Sequence, residues 1–223
     1  MLKADKNNFI LWGFTRFNRK FLKHHFHNIY VKNSTKKPMN KRTLFMVNHS
    51  SWWDSLVIFF LNEQIIRSDA YGMMHEEGIR RFPFFRKIGV YSINTDDRKH
   101  LLESLRYSVD LLQHDKTVWI FPQGEEQHLE KRPLGFYSGA SYISQKVEQL
   151  SIVQVSIYYS MEHHKKPNLY IHIGPPLKPE AYANHSRKAR TQLFEDKATN
   201  QLDQLKQCVI AEDHKSFINY GRE

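Results

Sequence analysis

A single cysteine, Cys208, stands in a chain of 223 residues. That excludes an intramolecular disulfide framework, leaves too few thiols for a cysteine zinc site, and fits a reducing interior. Long hydrophobic runs are missing as well, none approaching the roughly eighteen apolar residues that cross a bilayer. The N-terminus has neither the unbroken apolar core nor the small-residue cleavage site of a signal peptide, so the chain reads as neither membrane-spanning nor exported. Acidic residues are outnumbered, 23 against 33 lysines and arginines, for a net charge of +10. Such an excess predicts attraction to something acidic, either nucleic acid or an anionic membrane surface. The signatures of nucleic-acid binding are absent: no RNA-recognition motif, no zinc-finger spacing, no clear helix-turn-helix. Also absent are a Walker or GxGxxG phosphate loop, a GxSxG nucleophile elbow and any internal repeat.

What is present is globular. Hydrophobic residues make up 40% and aromatics 13% of a 26.7 kDa chain, the composition of one domain with helical appendages. Leu44 to Val47 reads as a buried strand, and Ser51 to Asn62 as the helix after it. Further strands are predicted at Asp69 to Met74, Gly89 to Ile93, Thr117 to Phe121, Ile152 to Tyr159 and Leu169 to Gly174. Leu101, Leu105, Val109 and Leu112 mark a helix over Asp97 to Asp115; Phe136 to Leu150 and the polar region after His185 read as two more. Asn33 to Lys41, with Pro38, reads as a linker. Strands alternating with helices imply an α/β fold, a mixed and mostly parallel sheet flanked by helices, with an N-terminal amphipathic arm and a C-terminal helix. The corresponding division is an arm at 1–35, a core at 36–180 and a helical extension of the same domain at 181–223.

Two strand ends carry chemistry. The first is Asn48-His49-Ser50-Ser51-Trp52-Trp53-Asp54. Residues five apart on one helix point away from each other, so His49 and Asp54 meet only if the chain turns between them, and Ser50 and Ser51 are suitable N-caps for that turn. Asp54 would then fix the tautomer of His49 and leave its second ring nitrogen free to take a proton. No protein nucleophile is evident, which leaves room for the deprotonated hydroxyl to belong to a substrate. The second strand end is Phe121-Pro122-Gln123-Gly124, where Pro122 and Gly124 require an abrupt turn into a long polar loop.

The arm points to lipid. At 100° per residue, Ile10, Phe14, Phe17 and Phe21 fall within about 60° of arc, with Arg16, Arg19, Lys20 and Lys23 opposite. Such a helix can lie in the headgroup plane of an anionic membrane, or its aromatic stripe can dock on the protein's own core. Arg80, Arg81, Arg86 and Lys87 are further candidates for lipid phosphates or an acidic carrier. His24, His25 and His27 lack the partner spacing of a metal site.

With both strand-end motifs in hand, the chain resembles the glycerophospholipid acyltransferases, which acylate glycerol 3-phosphate and lysophosphatidate. Their first block, Asn-His-x4-Asp, is matched by Asn48, His49 and Asp54, and their third, Phe-Pro-Glu-Gly, by Phe121 to Gly124. A weaker second block lies at Gly89 to Arg98, and a hydrophobic fourth at Ile152 to Ile157. The resemblance implies transfer of a fatty acyl group from acyl-CoA or acyl carrier protein to a lipid hydroxyl, with no metal or bound cofactor and with His49 and Asp54 as the catalytic pair. Backbone N–H groups after Ser50 would stabilise the oxyanion, and Gly124 would let backbone approach the acceptor. A membrane lipid surface and the acyl donor are the expected partners, nucleic acid is not, and the expected place is the cytoplasmic face of a membrane. The departures bear on the acceptor: Ile93-Asn94 is followed by Thr95, the nearest arginine is Arg98, Gln123 replaces the family's glutamate, and Glu125-Glu126 stand where Thr-Arg is typical. Two acids there would repel a phosphate monoester by roughly 1 kcal/mol per close pair. The acceptor expected is a neutral or glycosylated lipid, with lysophosphatidate the alternative, and Arg98, Gln123, Gly124, Glu125 and Glu126 as its contacts. A thioesterase or lipase, and a non-catalytic basic membrane-binding module, are the competing classes.

Overall fold

Strand β2 (Thr43–Val47) is buried at all five residues and lies inside the sheet, as its unbroken apolar run requires. It belongs to a computed structural model that describes residues 1–35 and 42–221. Before it come helix α1 (Asn8–His25) and strand β1 (Ile29–Asn33); after it comes helix α2 (Trp53–Leu61), running into a π-helical turn at Asn62–Ile66. Strand β3 (Ala70–His75), helix α3 (Glu76–Arg81), a 3-10 turn (Pro83–Ile88), strand β4 (Val90–Ile93), helix α4 (Arg98–Gln113) and strand β5 (Thr117–Ile120) follow. The chain continues through helix α5 (Gly139–Lys146), strands β6 (Ser151–Ser160) and β7 (Asn168–Ile173), helix α6 (Arg187–Ile210) and strand β8 (Ile218–Asn219). The eight strands form one sheet in the order β4-β3-β5-β2-β6-β7-β1-β8.

The five strands from β4 to β6 run parallel, joined by helical crossovers. β7 turns back antiparallel on β6, β1 runs parallel to β7, and β8 is antiparallel to β1. This is the mixed, mostly parallel α/β sheet with N- and C-terminal helices that the sequence pattern predicts. Alternation along the strands divides the core. Phe45, Val47 and Trp119 face Leu22 of α1 and Leu56 and Phe60 of α2, while Leu44, Met46 and Ile120 face Leu105 of α4, Ile143 of α5 and Phe194 of α6. Both sheet edges are covered. Leu2, Asp5 and Asn7 bond to Ser92, Arg86 and Lys87 beside β4, and β8 pairs with β1.

Four local readings change. The sequence pattern gave no strand before residue 43, yet Ile29–Asn33 pairs with β7 over five residues, so the stretch assigned to the arm supplies a strand and the linker reading fails at Asn33. Residues 36–41 of that linker lie outside the described residues. The helix expected over Phe136 to Leu150 spans only Gly139–Lys146: Phe136 is drawn into the loop by the Glu195 carboxylate, which accepts from its N–H at 3.1 Å. The docking face of α1 is centred on Phe14, Asn18 and Leu22 rather than on the stripe of Ile10, Phe14, Phe17 and Phe21, because the amide of Asn18 donates to the Leu56 carbonyl at 2.9 Å. The strand predicted to end at Gly174 is not the last one, since β8 is added by residues 218–219.

Candidate active site

The end of β2 is fixed before the chemistry begins. Asn48 is buried, its carboxamide donating to the Ile157 carbonyl at 3.0 Å and accepting from the Ile157 N–H at 2.7 Å, which stitches the strand end to β6. His49 follows, and the chain turns through Ser50, Ser51 and Trp52 into α2. Asp54, in the first turn of α2, is fully buried. Its Oδ2 accepts from His49 Nδ1 at 2.9 Å and from the N–H groups of Ser50 and Ser51 at 2.7 and 2.9 Å, and its Oδ1 accepts from the Tyr159 hydroxyl at 2.5 Å. An ionised carboxylate only accepts, so Nδ1 carries the hydrogen and Nε2 keeps the lone pair. Burial, with the neighbouring Asp54 charge, raises Tyr159 well above the ordinary tyrosine range, so it remains a donor.

This arrangement revises two expectations. Trp52 precedes α2 without a side-chain cap, and of the two serines only Ser51 bonds to the helix start, its Oγ accepting from the Trp53 N–H at 3.3 Å. Of the N–H groups after Ser50 expected to hold an oxyanion, that of Ser51 is occupied by Asp54 and that of Trp53 by Ser51 Oγ.

The second strand end closes over His49. The Phe121 ring stacks on the imidazole at 4.0 Å between centroids and 13° between planes. Gln123, 3% exposed, accepts from the His49 backbone N–H at 2.6 Å, and the His49 carbonyl accepts from Gln127 N–H at 3.0 Å. The carboxamide oxygen expected to meet a substrate hydroxyl is thus committed to His49. Gly124 has φ +75°, and a Cβ there would meet the Tyr137 ring at 2.8 Å, so its missing side chain is a steric requirement. Glu126 is half-exposed with Oε1 4.0 Å from His49 Nε2, whereas Glu125 is exposed and accepts from Gln127 Nε2 at 3.4 Å. The free nitrogen of the imidazole therefore faces solvent and an acid.

Two spaces flank Phe121 on opposite faces of the sheet. One is a narrow apolar cavity of about 70 Å³ among α2, β3, β5 and the 3-10 turn, walled by Phe14, Ile58, Phe59, Met74 and Phe85. The other is an open cleft of about 520 Å³ between α4 and α5, floored by Leu105, Ile120 and Ile143. Gly124 and Tyr137 line the cleft, and Arg98 from α4 and Arg187 from α6 stand on its rim. Arg187 was not singled out in the sequence: it arrives from 89 positions beyond Arg98, and only the fold makes them neighbours of one cleft.

On α1, Phe14 packs on Phe59 and Phe84, and Phe21 on Trp53, while Phe17, Trp12 and Phe9 are 55%, 60% and 79% exposed. Arg16, Arg19 and Lys20 are exposed beside them and Lys23 is half-buried. Trp52, between His49 and Asp54, is also exposed, as are Phe82 and Phe84. His27 stacks on His164 and His25 bonds to the Phe21 carbonyl; among the described residues no group of three histidines, cysteines or acids is placed to hold a metal. Among the same residues, no helix is long and apolar enough to cross a membrane.

An acyltransferase family model matches residues 28–159, which include both strand-end motifs and β1 through β6. No curated protein matches the chain. Seven solved chains do; one is the crystal structure of the 1-acyl-sn-glycerophosphate (LPA) acyltransferase PlsC from Thermotoga maritima, at 18% identity and a TM-score of 0.63, covering 88% of this chain and 80% of that one. At that identity the likeness is one of fold.

Proposed function

Since the chain belongs to the acyltransferase family, we propose that it moves a fatty acyl group from acyl-CoA or acyl carrier protein to a hydroxyl of a membrane lipid, with His49 as general base. The observation that carries this reading is the 2.9 Å bond from His49 Nδ1 to a buried, fully engaged Asp54, with Nε2 left open at the strand ends. Nε2 takes the acceptor's hydroxyl proton as that oxygen attacks the thioester carbonyl. The tetrahedral intermediate collapses, the carbon–sulfur bond breaks, and the thiolate recovers the proton from His49. Asp54 balances the imidazolium between the two transfers. The acyl chain lies in the apolar cavity and the acceptor in the open cleft, with Phe121 between them.

Glu126 favours an acceptor whose attacking hydroxyl has no phosphate beside it. Its Oε1, 4.0 Å from Nε2, puts a negative charge beside the attacking oxygen, where a phosphate would be repelled and an uncharged hydroxyl would not. Arg98 and Arg187 favour a second reading, lysophosphatidate, whose phosphate would reach the cleft rim. The protein works peripherally at the cytoplasmic face of a membrane, with Phe9, Trp12 and Phe17 at the interface and the basic side of α1 toward anionic headgroups. The test is mass spectrometry of products from palmitoyl-CoA with lysophosphatidate and neutral glycolipids offered together, His49→Ala run alongside. Acylated glycolipid, lost in the variant, supports the first acceptor; acylation of lysophosphatidate alone supports the second; no acylation with either sinks the reading.

A further inference from the structure

The exposed aromatics are not scattered over the surface. Trp52 lies against Trp53, Trp53 against Phe21, Phe21 on Phe17, Phe17 against Phe14 and Phe14 against Phe84, with ring centroids 5.3 to 6.1 Å apart at every step. The line starts on the catalytic turn, where Trp52 is 59% exposed, crosses α1 through exposed Phe17, and ends in the 3-10 turn, where Phe84 is exposed with Phe82 beside it. Single exposed aromatics are ordinary on a protein surface, but a contiguous apolar stretch drawn from three elements marks an interaction face.

Charge says what covers it. Helix α1 contains no aspartate or glutamate, while Arg16, Arg19, Lys20 and Lys23 stand along it. At the far end Arg81 lies over the Phe82 ring, 5.2 Å from its centroid. The acids of α3, Glu76 and Glu77, sit a turn back at its start, where Glu76 is held by Arg80 at 2.6 Å. Glu125 and Glu126 belong to the other strand end, outside the line of rings. Aromatic rings edged with cations fit the interfacial zone of an anionic bilayer, where tryptophan sits at the level of the headgroups. We infer that the catalytic turn is itself a membrane contact: Trp52 at one end of the α1 stripe, and the turn at residues 82–84 at the other, enter the interface of an anionic bilayer. His49 is three residues from Trp52, no more than about 11 Å of chain. The contact therefore brings the base to the bilayer surface, and a hydroxyl on a lipid headgroup reaches Nε2 without the lipid leaving the membrane.

The inference rests on α1 being the membrane arm, and labels at separate sites tell the two apart. In a Cys208→Ser background, Phe17→Cys, Trp52→Cys, Phe82→Cys and, as a control on the opposite side of the sheet, Gln113→Cys would each carry an environment-sensitive fluorophore. Each would be mixed with vesicles of phosphatidylcholine and phosphatidylglycerol containing doxyl-labelled lipid. Emission from the labels replacing Phe17, Trp52 and Phe82 should shift to the blue and be quenched by the doxyl lipid, while that from the label replacing Gln113 should not change. Should a labelled variant not fold, flotation of Trp52→Ser and of the double variant Phe82→Ser/Phe84→Ser takes its place, and each should lower vesicle affinity about five- to tenfold. Quenching of the label replacing Phe17 alone overturns the inference and leaves the α1 arm standing, as do unchanged affinities in both serine variants. Quenching at none of the three sites overturns the arm reading with it. A response of the labels replacing Trp52 and Phe82 to acyl carrier protein and not to vesicles overturns the inference in favour of a protein partner.

Discussion

Around His49 the contacts differ in what they do, and substitution separates them. His49→Ala removes the base, and acyl transfer should fall by about 10²- to 10⁴-fold with the fold intact, as circular dichroism would show. Tyr159→Phe removes a hydrogen bond to a buried carboxylate; a loss of about 1.5–3 kcal/mol in urea denaturation is expected, with a smaller effect on rate than His49→Ala. Gln123→Leu strips the acceptor from the His49 N–H, so kcat should fall while the acceptor's KM changes little, whereas Gln123→Glu restores an acceptor there and should retain activity. A raised KM without loss of kcat would return Gln123 to the substrate. The sequence made Asn48, His49, Asp54 and the Phe121 turn legible because each motif is local. Tyr159, Gln123's commitment to His49 and the Phe121 stack join residues 105, 74 and 72 positions apart, where no spacing rule reaches.

Single elements set the dimensions of the binding spaces. β3 passes Gly72 under the apolar cavity, and a Cβ there would meet only Val90 Cγ2, at 3.9 Å. Gly72→Ala should therefore fold and Gly72→Leu should fill the cavity floor, so with mixed acyl-CoA donors the product profile should shift to shorter chains in that order; an unchanged profile would place the acyl chain elsewhere. β7 carries His172, whose pKa burial lowers to about 4, with the Lys32 charge adding to it. The depressed value means the folded state binds its proton later than the unfolded chain does. Its contribution is complete above pH ~6.5 and is lost as pH falls through about 4. The wild type should lose more Tm than His172→Gln between pH 7 and 4.5, since glutamine has no proton to gain. Long elements were legible: four leucine and valine positions, two buried and two partly buried, give α4 its period, and the apolar run gives β2. β1 and β8 were not, because five and two residues bracketed by histidine, tyrosine and polar residues carry too little pattern; β1 is placed by pairing with β7, and β8 by pairing with β1.

At the scale of the molecule, the arm divides its aromatics between two tasks. Phe14 and Phe21 hold α1 to the domain, while Phe9, Trp12 and Phe17 stay exposed near basic side chains. Replacing these three with serine should abolish flotation with anionic liposomes without altering Tm by more than a few degrees, and wild-type binding should weaken as ionic strength rises. Flotation unaffected by the triple substitution would assign the membrane contact to another surface. The net charge of +10 showed that an acidic partner was to be expected, but the choice of which aromatics remain free lay in the amide of Asn18, which rotates the docking face. The covering of both sheet edges has its own consequence. A protein concentrated on a bilayer meets copies of itself far more often than in bulk, and an open strand edge there would template intermolecular pairing and fibre growth. With Leu2 bonded to Ser92 of β4 and the other edge reduced to the two residues Ile218–Asn219, the sheet offers a neighbouring copy only short, interrupted edges on which to pair.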